Sequence, residues 1–289
     1  MTTTTAETLS VNGVVLNTLA KNISSLTGRL RAPALRTDNV TVPGRHGSLR
    51  TVNKRYEEGQ IVLPMWVRGS DDSEGSIGRD TFFTNVDTLT QLFRPGSGLL
   101  TLVHTLPDGS QRQALAECTE AINMTMVAGG DFPYATFSVA LRVPSVFWQD
   151  VSTTSIDLAY NFNGNLTQLE GTTAPIEDAI YTCYGPFTSC TVEARYNGSA
   201  MDDPQYFTYS GTLGTNQNLI VNAGSWKLTS GGTPFLVDYT KMFHTGSARF
   251  LEIPPGPVGG YPQLKVTMAN AVSGTSKVNV TARRKFLVG

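Results

Sequence analysis

The side chains with most chemistry to offer are three histidines, His46, His104 and His244, and three cysteines, Cys118, Cys183 and Cys190. Such residues hold zinc when they recur at short fixed spacings, as in Cys-x-x-Cys or His-Glu-x-x-His. Here the histidines lie far apart and neither spacing occurs. A serine nucleophile finds its partners only in space, but the Gly-x-Ser-x-Gly elbow that would advertise one is missing. Gly256–Gly260 is interrupted by Pro257 and lacks the strand-to-helix context of a phosphate cradle. The acidic run Asp71-Asp72-Ser73-Glu74-Gly75 lacks the alternating ligands and distal Glu of an EF-hand, and reads as a solvated loop. A glycosidase needs two opposed carboxylates, and nothing singles out a pair among 23 acidic residues. No catalytic residue, cofactor or metal is expected, and the chain does not read as an enzyme.

Three cysteines close one pair at most. Cys183 and Cys190, seven positions apart, could pair across a hairpin; the reading adopted is that they are reduced and buried, as small apolar thiols usually are. Synthesis in a reducing compartment fits this usage. Cys118 is given no role.

Charge is scarce but uneven. Charged residues make up 16% of the 289, against about 25% in an average protein, so Thr, Ser, Asn and Gly must build most of the polar surface. Net charge is −1, which gives no global pull towards nucleic acid or anionic lipid. Yet Arg29, Arg31, Arg36, Arg45, Arg50, Lys54 and Arg55 fall in one segment with Asp38 as the only acid. Arginine suits bidentate pairing across interfaces. Arg45, His46, Arg50 and Arg55 are therefore candidate subunit contacts, against the plainer reading of a solvated loop. Sequence-specific nucleic-acid binding ranks below both, because no aromatic platform is interleaved.

The elements that must position these residues are mostly strands. Ala135, Phe137, Val139, Leu141 and Val143 alternate with polar or small neighbours, as do Val192, Ala194 and Tyr196; Leu264, Val266 and Met268; and Val278, Val280 and Ala282. Turns are expected at Asn197-Gly198, Ser230–Thr233 and Pro254–Pro262. From Asp80 to Arg94, Phe82, Val86, Leu89 and Phe93 make the stripe of one amphipathic helix, capped by Asp80 or Thr81 and stopped by Pro95-Gly96. The expectation is a mainly β protein in two parts. Residues 1–150 would form a β-barrel-like domain with one covering α-helix, and residues 151–289 a second β domain. The stretch from Gln149 to about Pro175 reads as strand-poor, and Met1–Glu7 as a mobile end. No run approaches the roughly 20 apolar residues of a membrane span, and Met1–Asn12 lacks the basic and apolar regions of a signal peptide.

Particular residues resemble a known family. Val40-Thr41-Val42-Pro43-Gly44-Arg45-His46-Gly47 is similar to the Val-Pro-Gly-Arg-x-Gly turn of distal tail proteins from long-tailed, non-contractile (siphovirus-type) bacteriophages. Arg55-Tyr56-Glu57-Glu58, the strand from Gln60, the helix from Phe82, the strand from Leu99 and Phe147-Trp148 follow in that family's order. Tyr184-Gly185-Pro186-Phe187-Thr188, Leu219–Asn222 and Phe250–Gly256 resemble its C-terminal β-sandwich, which is similar to galectins and carbohydrate-binding modules. The resemblance implies a homo-oligomeric ring, usually a hexamer, at the distal end of the virion tail, made in the host cytoplasm. Such a ring joins the tail tube protein to the baseplate hub and surrounds the channel for tape measure protein and DNA. The alternative is a carbohydrate-binding module or receptor-binding tail protein attaching to the host cell surface, with Tyr206, Tyr209, Trp226 and Tyr261 as candidate carbohydrate contacts.

Lack of clustered ligands leads to one expected outcome: neither a chelator nor a thiol reductant changes the melting temperature. A fall of several degrees with either would contradict it.

Overall fold

The computed structural model describes residues 7–24, 32–36, 40–41, 48–49, 55–70, 77–127, 133–201, 205–244 and 251–289. The protein is mainly β: 48% of the described residues are in strands and 8% are helical, and one sheet curls into a half-barrel. Two compact units are present: Met1–Val151 with Leu287–Gly289, and Ser152–Phe286.

The first unit holds β1 (Thr8–Val11), β2 (Val14–Val15), β3 (Lys21–Ile23), β4 (Val40–Thr41), β5 (Ser48–Leu49) and β6 (Gly59–Arg68). It continues with α1 (Arg79–Leu92), β7 (Leu100–Thr105), β8 (Gln111–Cys118), β9 (Thr125–Val127), β10 (Tyr134–Val143) and β11 (Trp148–Asp150). Its sheet runs β2-β1-β7-β8-β10-β6-β3, with β9 on β10 and β11 on β8; β4 and β5 pair separately. The alternation read over Ala135–Val143 holds throughout, with all five apolar residues buried. They face Ile61, Leu63, Met65 and Val67 of β6, which are also buried.

The helix has the expected stripe: Phe82, Leu89 and Phe93 are buried and Val86 is half-buried. Its start differs from expectation. The N-cap is Gly78 and no side chain caps it, so neither Asp80 nor Thr81 has that role. Backbone pairing sets the start instead: Gly78 N–H donates to Gly69 O at 2.9 Å, and Ser70 bridges Ile77. Glu7, expected at a mobile end, lies 2.8 Å from Nε2 of the buried His104.

The second unit holds β12 (Thr154–Ala159), β13 (Asn163–Asn165), β14 (Ile180–Tyr184), β15 (Ser189–Tyr196), β16 (Ser199–Ala200) and β17 (Tyr206–Tyr209). Then come β18 (Gln217–Asn222), β19 (Lys227–Gly232), β20 (Met242–His244), β21 (Gln263–Ala269) and β22 (Lys277–Ala282). One sheet runs β12-β22-β14-β18-β19 and the other β13-β21-β15-β17-β20, with β16 on β15. Inward residues of both sheets form one buried cluster, including Ile156, Tyr181, Val192, Phe207, Leu219, Val266 and Val280.

Two expectations fail here. The stretch after Gln149 is not strand-poor: β12 and β13 lie in it, because Ile156 and Leu158 alternate with polar neighbours and are buried. Ser230–Thr233 is not a turn, since β19 runs to Gly232. Its glycines belong to a strand because Asn218 crosses there; a Cβ at Gly231 would meet Asn218 Oδ1 at 2.1 Å. The strand through Val192 runs to Tyr196 as its alternation suggests, but its buried face ends at Ala194, and Tyr196 is exposed beside the Asn197-Gly198 turn.

Gly69 and Gly13 carry different constraints. A Cβ at Gly69 would sit 2.4 Å from Gly78 O, whereas one at Gly13 meets nothing but strains a φ of +82°. Urea unfolding should show Gly69→Ala losing about 2 kcal/mol or more through overpacking, and Gly13→Ala only about 1 kcal/mol. Equal losses would contradict the close helix–strand approach.

Candidate functional site

The ladder that buries one face of β6 and β10 leaves the other face outward. Across it, Thr136 faces Trp66, Ser138 faces Pro64 and Ala140 faces Val62. Val62 is 49% exposed and Tyr134 43%. β6 therefore reads Ile61-Val62-Leu63-Pro64-Met65-Trp66-Val67, apolar on both faces. Pro64 fits because Ser24 N–H donates to Pro64 O at 2.8 Å. The side of Pro64 without an N–H thus faces β3 beyond its last pair, Ile23 with Met65.

At one end of this face lies a cleft of about 460 Å³, lined by Trp66, Arg68, Ser70, Ile77, Tyr134 and Thr136. The Arg68 guanidinium is 5.9 Å from the Trp66 ring centroid, and its Nε donates to Leu19 O. Asn85 of α1 holds the cleft edge, donating from Nδ2 to Arg68 O at 3.0 Å and Ser70 O at 2.9 Å. Aromatic faces, a guanidinium and hydroxyls recognise by packing and hydrogen bonding. The described lining has no carboxylate, imidazole or thiol to move a proton or attack a carbon.

Sequence reasoning missed this face. The signal was the unbroken apolar run from Ile61 to Val67, which puts apolar side chains on both faces of the strand instead of one.

Only some of the sequence-derived candidates lie among the described residues. Arg45, His46 and Arg50 lie outside the described residues, as does the acidic run 71–75. Arg55 is exposed, and its carbonyl accepts the Arg36 N–H at 2.7 Å. Tyr209 is not a sugar platform: it is 3% exposed and belongs to the core cluster. Burial pushes its phenol pKa up. Tyr206 stands three positions earlier on the same strand, so period two turns it to the opposite face. Trp226 is 47% exposed, with φ +58°, between β18 and β19. Tyr261 is half-buried in the loop before β21.

Comparison with known proteins adds no assignment: no family model matches the chain, and no curated protein matches its sequence. Among the described residues, no three His, Cys, Asp or Glu side chains group to hold a metal ion. Nor is any described helix long and apolar enough to cross a membrane.

The second unit carries one polar network on its five-stranded sheet. Asp157 Oδ2 accepts from Lys277 Nζ at 2.7 Å and Oδ1 from Asn279 Nδ2 at 2.8 Å. These two hydrogen bonds hold the Asp157 carboxyl below its ordinary value, so it is an occupied acceptor and not a poised acid. A depressed carboxyl contributes stability that is present above its unfolded pKa, about 3.9, and is lost as pH falls through the folded value. Asp157→Asn should therefore lower the melting temperature by only about 1–2 °C at pH 7, the pair being exposed. The gap between variant and parent should close as pH falls below about 4. A gap that widens towards low pH would contradict the assignment.

Proposed function

We propose that the chain is a ring-forming subunit of the distal tail of a long-tailed, non-contractile bacteriophage. In this reading its first unit builds the ring wall between tail tube and hub, around the channel for tape measure protein and DNA. The second unit, Ser152–Phe286, closes as a β-sandwich that projects outward. The observation that carries the reading is the double-faced apolar strand β6. Its outward Val62, Pro64 and Trp66 are matched on β10 by Ala140, Ser138 and Thr136, an uncharged stretch bounded by Arg68 and Arg142, of the kind a neighbouring copy covers. The half-barrel sheet and helix α1 support the same reading, as does the low charge, since surface enclosed by neighbours needs few ions.

A closed ring repeats one heterologous contact at every interface, so a small change per contact is multiplied. Val62→Glu with Trp66→Glu should leave circular dichroism unchanged but convert a six-fold mass into a single-chain mass, with rings gone from negative-stain images. Arg45→Glu with Arg50→Glu should have the same effect if those arginines meet an acidic face on the adjacent subunit. A parent chain that stays single at micromolar concentration would overturn the reading, and so would normal rings from both double variants.

Trp226 favours a second reading, in which the second unit binds a host-surface glycan. An exposed indole at a hairpin tip can stack on a sugar ring. Glycan binding by the chain, lost in Trp226→Ala with rings intact, would select it.

A further inference from the structure

Cys183 lies in β14 of one sheet of the second unit and Cys190 in β15 of the other, with their Sγ atoms 3.5 Å apart. Both are fully buried. Each sits in an internal strand: Cys183 pairs with Leu219 and Val278, and Cys190 with Tyr209 and Met268.

The link between them is pinned by backbone. Gly185 N–H donates to Gln217 O at 2.9 Å, Phe187 and Leu213 exchange bonds of 3.1 and 2.9 Å, and Thr188 N–H donates to Ala269 O at 2.9 Å. A side chain at Gly185 has no room, since its Cβ would fall 2.4 Å from Gly214 O. The two sulfurs are thus held face to face by strands on both sides. A disulfide would draw them in by about 1.5 Å, to about 2.05 Å.

We propose that Cys183 and Cys190 are a latent cross-link between the two sheets. The pair is a dithiol in a reducing compartment and becomes a disulfide when a small-molecule disulfide, such as oxidised glutathione, reaches it. While the unit is closed the pair is inert. The mutual hydrogen bond and then burial push the Cys190 thiol well above its usual value, and the thiolate is the form that reacts. Reaction therefore proceeds through opening of the unit. One protein thiolate attacks oxidised glutathione, forming a mixed disulfide and releasing one glutathione thiolate. The second protein thiolate attacks the protein-bound sulfur and releases the other. Two electrons pass to the oxidant, and the two thiol protons end on two reduced glutathiones.

The test uses the full chain, incubated with oxidised glutathione in urea below the unfolding midpoint, then unfolded and alkylated. Alkylatable thiols should fall from three to one, with a mapped bridge joining Cys183 to Cys190. The rate should rise with urea. The melting temperature of the bridged form should rise by about 5 °C and return with reductant. Cys118→Ser should form the same bridge. Three free thiols after complete unfolding and refolding in the same buffer would overturn the proposal. So would glutathione retained on single cysteines, a bridge to Cys118, or a bridged form that melts lower than the dithiol.

Discussion

Ten consecutive antiparallel pairs join β6 to β10, from Gly59 with Val143 to Arg68 with Tyr134, and the faces of the first unit follow from them. Side chains on a strand alternate strictly, so a slip of one residue would exchange buried and exposed faces along the whole ladder. β6 cannot choose its own face, being apolar on both. The choice comes from β10, whose outward positions are Tyr134, Thr136, Ser138, Ala140 and Arg142 and whose inward ones are all apolar. Once that register is set, Val62 and Trp66 must face outward and Arg68 must stand beside Tyr134. The cleft then forms where Asn85 and Gly69 bring the helix start against the end of β6.

The second unit solves the same problem with two sheets and one shared cluster. Its outward polar groups are satisfied mostly by neutral neighbours. Thr191 and Thr208 hydroxyls meet at 2.8 Å, and Gln263 Nε2 donates to Asn165 Oδ1 at 2.8 Å. Cross-strand pairs of this kind stabilise a sheet without ions, which accounts for a surface built with so little charge.

Much of the architecture was legible because period two is a local property. The strands through Phe137, Val192, Val266 and Val280, and the stripe of Phe82, Leu89 and Phe93, follow from residue order alone. The misreadings share one cause. The cap at Gly78, the strand course of Gly231 and Gly232, and the anchoring of Glu7 by His104 each depend on a partner outside the segment being read: Gly69, Asn218 and His104 respectively.

By itself the sequence determined the mainly β class, the helix over Phe82–Phe93 and the inward face of most strands, because each is written in spacing over fewer than about 15 residues. Only the tertiary structure decided which strands are neighbours. That pairing exposed the outer side of an all-apolar strand, sent Tyr209 into the core while Tyr206 faced outward, and brought two thiols from separate sheets to 3.5 Å. The physical reason is that strand order and sheet-to-sheet packing are long-range contacts. They are set by the burial of whole faces at once, and no single segment encodes them.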